Sequence, residues 1–130
     1  MSEKLSRILY AEDDDDIRTL AVMALTDIGG LEVVACCCGD EAIQQLPSTR
    51  PQLILLDVMM PGMDGPQVLA AVQAMEDFKS IPVVFMTAKV NVKEVGSYLA
   101  LGAAGVITKP FDPMTLADQL RDIWQNSPRA

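Results

Sequence analysis

Five short apolar runs, each followed by a stretch with helical spacing, constrain this chain more than any other feature of its sequence. Arg7-Ile8-Leu9-Tyr10-Ala11 reads as a first strand. Ile17, Leu20, Ala21, Ala24, Leu25 and Ile28 then recur at three- and four-residue intervals, the apolar face of a helix that Gly29-Gly30 ends. Leu31 to Cys37 is a second strand, followed by a short helix from Gly39-Asp40 through Ala42, Ile43 and Leu46 that Pro47 should stop. The third run, Gln52 to Leu56, is apolar on both faces, as a central strand covered on each side must be. The turn Pro61 to Gly65 opens a helix with Val68, Leu69, Val72 and Met75 inward, and Ile81 to Met86 is a fourth strand. Val92, Val95, Leu99 and Ala100 predict the buried face of a fourth helix ending at Gly102. Gly105 to Thr108 is the last strand, and Asp112-Pro113 supplies an N-cap and first residue for a helix lined by Leu116, Ala117, Leu120, Ile123 and Trp124.

Strand and helix alternating five times within 130 residues predict one α/β domain, a doubly wound five-stranded parallel sheet with helices on both faces. Half the residues are hydrophobic but only 5% are aromatic, so the core should be aliphatic. Cys36, Cys37 and Cys38 are consecutive, and neighbouring residues of an extended segment point to opposite faces. They suit neither one tetrahedral metal nor a mutual disulfide and read as small thiols in a reducing compartment.

The net charge of −8, from 18 acidic and 10 basic residues, is the reverse of what phosphate-backbone binding requires, so no nucleic-acid partner is expected of this domain. The aliphatic runs are too short to span a bilayer, and Met1-Ser2-Glu3-Lys4 lacks the apolar stretch of a secretory signal. The expectation is a cytoplasmic protein without a membrane partner. The absence of histidine excludes Ser-His and Cys-His catalysis, and excludes a phosphohistidine on this chain.

Sites in open parallel sheets lie at the carboxyl ends of the strands. There the first strand delivers Glu12-Asp13-Asp14-Asp15-Asp16, the third Asp57, the fourth Thr87 and the fifth Lys109. Taken singly, each has an ordinary alternative: helix N-terminal charge, a capping residue, a β-former, a surface lysine. Their coincidence at one edge of the sheet points elsewhere. Two carboxylates about 4 Å apart repel by roughly 4 kcal/mol at an effective dielectric near 20, so converging carboxylates call for a hard cation such as Mg²⁺ or Mn²⁺. A carboxylate nucleophile, a divalent ion, a hydroxyl and a lysine together fit phosphoryl transfer onto an aspartate.

In these residues the chain resembles the receiver domain of two-component response regulators, in particular the chemotaxis-type single-domain form. The matching segments are Ile8 to Asp14, Leu55 to Gly65, Met86-Thr87-Ala88, Gly102 to Gly105 and Lys109-Pro110-Phe111. The resemblance implies a flavodoxin-like fold with strand order 2-1-3-4-5. It implies Asp57 as phosphoacceptor, with Thr87 and Lys109 on the phosphoryl oxygens. Asp13, Asp57 and the backbone carbonyl of Met59 would hold Mg²⁺, Glu12 would act on it through water, and Lys109-Pro110 would be cis. The donor would be the phosphohistidine of a histidine kinase or phosphotransfer protein. A downstream protein would read the face formed by the fourth helix, fifth strand and fifth helix, and the chain would be a monomer or a weak, phosphorylation-linked dimer. Such a domain is a switch rather than an enzyme, with only self-phosphorylation and slow self-dephosphorylation.

Two positions depart from the family pattern: Glu12 stands where Asp is commoner, and Val106 where an aromatic usually serves as a rotamer switch. The second keeps open a receiver-like module that binds partners without phosphorylation. An aspartyl-phosphate hydrolase is disfavoured by Met59, which sits where a second aspartate would be needed. The expected boundaries are a tail over 1–6, the domain over 7–126, and a polar segment over 127–130 that suits a terminus or the start of a linker.

Overall fold

The computed structural model describes residues 4–88 and 91–127. Expectations for residues 1–3, for Lys89 and Val90, and for residues 128–130 fall outside the described residues. Five strands form one parallel sheet: β1 (Arg7–Ala11), β2 (Glu32–Cys36), β3 (Leu53–Asp57), β4 (Val83–Thr87) and β5 (Gly105–Thr108), in the order β2-β1-β3-β4-β5. The helices are α1 (Asp15–Met23), α2 (Gly39–Thr49), α3 (Gly65–Gln73), α4 (Val92–Leu101) and α5 (Leu116–Gln125).

Because strand side chains alternate, the sheet feeds two cores. Leu9, Ala11, Ile54, Leu56, Val83 and Phe85 pack with α2, α3 and α4. Ile8, Tyr10, Leu53, Leu55, Val84 and Met86 pack with α1 and α5, where Trp124 is 1% exposed and its indole N–H donates to the Gln52 carbonyl at 3.2 Å. The central strands β3 and β4 are buried along their whole length. The reach of the fold extends before Arg7: Leu5 is buried, and the Gln52 amide oxygen accepts from the Ser6 and Arg7 N–H groups at 2.7 and 2.9 Å.

Several elements differ from expectation. Pro47 lies inside α2, not after it; its missing N–H falls near the helix end, and the turn closes at Arg50, whose N–H reaches the Leu46 carbonyl from a left-handed backbone. The first helix runs as α only to Met23 and continues as a π-helical turn, Ala24–Ile28; Leu20 in the α part and Ile28 in the turn are about half exposed. Asp112 caps a separate turn through the Met114 N–H, and α5 begins three residues later than Pro113. The face read for α4 is wrong: Val92, Leu99 and Ala100 are exposed, Val95 is half-buried, and the buried residue is Tyr98.

Candidate functional site

The carboxyl ends of β1, β3, β4 and β5 meet at one edge. Glu12, just past β1, is wholly buried; Asp57, the last residue of β3, is 4% exposed; Thr87, the last of β4, is 5% exposed. Lys109, just past β5, turns inward so that its ammonium lies 2.8 Å from Glu12 Oε1 and 3.0 Å from Asp57 Oδ2. The Asp14 N–H donates to the other Glu12 oxygen at 3.2 Å, and the Arg18 guanidinium holds the Glu12 carbonyl at 2.8 Å. Asp13 is exposed, yet a carboxylate oxygen from each of Glu12, Asp13 and Asp57 fits within a 4.8 Å group. Asp14 faces elsewhere, capping α1 through the Ile17 N–H. The Met59 side chain is exposed at the rim.

Local sequence explains the loop that follows Asp57. Asp64 and Gln67 form a reciprocal capping box that starts α3, with Gly65 next in line. A Cβ at Gly65 would sit 2.8 Å from the Asp57 carbonyl oxygen, so only glycine lets α3 start so close to the strand end. The peptide bond Lys109-Pro110 is cis.

Electrostatically the site is a carboxylate cluster with one ammonium inside it. Burial pushes the Glu12 carboxyl up to about 7; the hydrogen bond from Lys109 works against that shift and the neighbouring Asp57 reinforces it. For Lys109 burial pulls downward, but the partners Glu12 and Asp57 prevail and its pKa is raised. Tyr10, read from sequence only as a strand residue, has a buried phenol without a hydrogen-bond partner among the described residues. Burial, then the charges of Glu12 and Asp57, push that phenol far up. The donors of the cluster are all oxygen, and more carboxylate than cation is gathered there, which fits a hard divalent ion.

Beside Asp57 opens a cavity of about 230 Å³, lined by Val58, Thr87, Ala88 and Lys109 together with Glu94 and Tyr98 of α4. The sequence reading missed both α4 residues, although their four-residue spacing places them on one face. An apolar cleft of about 380 Å³ adjoins it, lined by Ile17, Leu20, Phe111 and Pro113, which accounts for the exposure of Leu20.

Residues 8–121 match the family model of the response regulator receiver domain, and the chain belongs to that family. It is 33% identical over 118 residues to the transcriptional regulatory protein CseB of Streptomyces coelicolor, covering 91% of this chain and 49% of CseB. The chain thus spans about half the length of the curated relatives it matches. Among solved structures it resembles the chemotaxis protein CheY4 of Vibrio cholerae, with a TM-score of 0.84, 30% identity, and 92% and 98% of the two chains covered. It also resembles the receiver domain of a signal transduction histidine kinase from Syntrophus aciditrophicus, with a TM-score of 0.79, 30% identity, and 96% and 94% covered. The observed topology is the flavodoxin-like receiver fold. Receiver domains are signalling domains that bind Mg²⁺ at an acidic pocket, and Glu12, Asp13 and Asp57 form such a cluster here. Among the described residues, no helix is long and apolar enough to cross a membrane.

Proposed function

We propose that the chain is a phosphorylation-controlled switch in which Asp57 accepts a phosphoryl group from a phosphohistidine of a histidine kinase or phosphotransfer protein. The observation that carries this reading is the buried Asp57 carboxylate held 3.0 Å from the Lys109 ammonium, with Thr87 at the end of the neighbouring strand. An Asp57 oxygen attacks phosphorus, the donor's P–N bond breaks, and the departing imidazole takes up a proton. The product is an acyl phosphate. Thr87 and Lys109 bind its oxygens, and Lys109 neutralises charge that would otherwise meet Glu12.

Asp13, Asp57 and the Met59 carbonyl would hold Mg²⁺, with Glu12 acting through water. When bound, the ion supplies charge neutralisation at the transferring oxygens. The apolar cleft beside Lys109 suits a docking donor, because the phosphohistidine must reach bonding distance of Asp57. The receiver unit, taken as 7–126, is the switch, in the cytoplasm, with self-phosphorylation and slow self-dephosphorylation as its only chemistry. Its output passes through α4, β5 and α5 to a partner protein, as a monomer or a weak phosphorylation-linked dimer. No nucleic acid is bound by this domain; net charge opposes it.

The test is labelling with acetyl phosphate and Mg²⁺. Wild type should gain one phosphoryl group that decays slowly, and Asp57→Asn none. Equal labelling of Asp57→Asn would remove Asp57 as acceptor; no labelling of wild type would favour a module that binds without phosphorylation.

A further inference from the structure

The wall of the cavity beside Asp57 includes an acidic residue that the acceptor chemistry does not use. Glu94 and Tyr98 stand one helical turn apart on α4, and both line that cavity. Tyr98 is buried, and its ring meets Phe85 edge to face, with centroids 5.3 Å apart and planes at 77°. Phe85 lies in β4 two residues before Thr87, on the same face of the sheet. The aromatic pair therefore pins α4 to the sheet next to the cavity and fixes where Glu94 stands.

The Glu94 side chain is half-buried and makes neither an ion pair nor a side-chain hydrogen bond among the described residues. Only its N–H is engaged, donating to the Asn91 cap at 2.9 Å. A carboxylate in the first turn is favoured by the helix dipole. Among the described residues, the cavity offers one ammonium, Lys109, already shared between Glu12 and Asp57.

We propose that Glu94 is a charge gate on this cavity: held by Tyr98 on α4, its carboxylate opposes entry of free anionic phosphodonors and so favours a donor delivered by a protein. The proposal rests on the reading of Asp57 as acceptor. A phosphoryl group brings close to two negative charges, and a further acidic residue in the cavity wall raises the cost of its entry. A docked donor protein can cover Glu94 with its own cations; acetyl phosphate cannot. Glu94 does not touch the acceptor oxygen. It is a specificity-determining residue, acting through charge.

The experiment is titration with beryllofluoride in saturating Mg²⁺, followed by the ¹⁹F signal of the bound form, and the rate of labelling by acetyl phosphate. Glu94→Gln should tighten beryllofluoride binding and speed labelling by about three- to tenfold, and the gain should shrink as salt is raised. Glu94→Lys should exceed Glu94→Gln. Mg²⁺ affinity without beryllofluoride should change by less than about twofold, since Glu94 lies outside the Glu12, Asp13 and Asp57 cluster. Glu76→Gln, at an exposed pair with Lys79, is the control for net charge. Glu94→Gln behaving like wild type, or Glu76→Gln giving an equal gain, overturns the gate while leaving Asp57 as acceptor. A wild-type chain that binds no beryllofluoride overturns both.

Discussion

The ammonium of Lys109 rests 2.8 Å from a Glu12 carboxylate oxygen on a side chain that solvent does not reach. In the free protein Glu12 is thus as much a partner of the lysine as Asp57 is.

Stability should depend on pH through Glu12. Its carboxyl is raised from 4.5 to about 7 in the folded state, chiefly by burial, so between those values the folded chain binds more protons than the unfolded one. By linkage the contribution is fully present below about 4.5 and is lost as pH rises through about 7, by up to about 3 kcal/mol. Urea midpoints without divalent ions should fall over that window for wild type and stay flatter for Glu12→Gln. Identical profiles would show that Glu12 does not titrate there.

Mg²⁺ affinity should fall sharply in Asp13→Asn and Asp57→Asn. Both variants should be more stable than wild type without metal, Asp13→Asn by about 1 kcal/mol or less because Asp13 is exposed. Asp14→Ala should do the opposite, costing about 1 kcal/mol through the lost α1 cap while leaving metal affinity nearly intact. Calorimetric titration and chemical denaturation separate the two behaviours.

Lys109→Ala should retain some labelling of Asp57 but transmit poorly to the partner surface. The lysine binds the phosphoryl oxygens, and its loss leaves Glu12 and Asp57 to repel each other. Labelling by acetyl phosphate and pull-down of a phosphorylation-dependent partner give the two readouts; intact transmission would deny the lysine its reading role.

Gly65→Ala should disturb the acceptor from behind. With an added methyl 2.8 Å from the Asp57 carbonyl, α3 must shift, at a cost of about 1–3 kcal/mol. Labelling should slow as well, a combination that a stability defect remote from Asp57 would not produce.

Val106 is too short and too stiff at χ1 to signal by swinging, so Val106→Ala should leave phosphorylation-dependent binding nearly intact. Beryllofluoride should move amide signals over the Thr87–Val95 segment more than over Gly105–Thr108. A large loss of partner binding in Val106→Ala at unchanged stability would return the switch to β5.

The strands were legible because the sheet is covered on both sides, and continuous apolar runs have no other home. The site was legible for a related reason: residues at strand ends converge whatever the loops do. What escaped the sequence lies where that logic stops. Helix α4 keeps Val92 and Leu99 in solvent and buries Tyr98, because one aromatic wedged against Phe85 outweighs several small aliphatics. Periodicity counted the aliphatics instead. The π-helical turn was hidden because its wider bonds, Ala24 carbonyl to Gly29 N–H, leave the composition of the helix unchanged. Glu12 was singled out only through the resemblance, as acting on the metal through water; its full burial and its pairing with Lys109 come from the fold and are not legible in a run of five acidic residues.

That π-helical turn has a mechanical consequence. It delivers Gly29 so close to α5 that a Cβ there would lie 2.4 Å from the Cβ of Ala117, and Arg121 donates to the Gly29 carbonyl. The end of the first helix and the side of the last are moored together by a backbone contact with no slack. α4 is held by side chains: an edge-to-face ring contact ties it to the sheet, the Gln73 amide of α3 donates to the Leu101 carbonyl at its end, and much of its apolar surface is in water. One bank of the sheet is thus held where a glycine backbone packs without room for a methyl, the other by side-chain contacts, with Asp57 between them. A force generated at Asp57 will be spent where rotamers can yield, on the α4 side, and α5 will serve as the fulcrum.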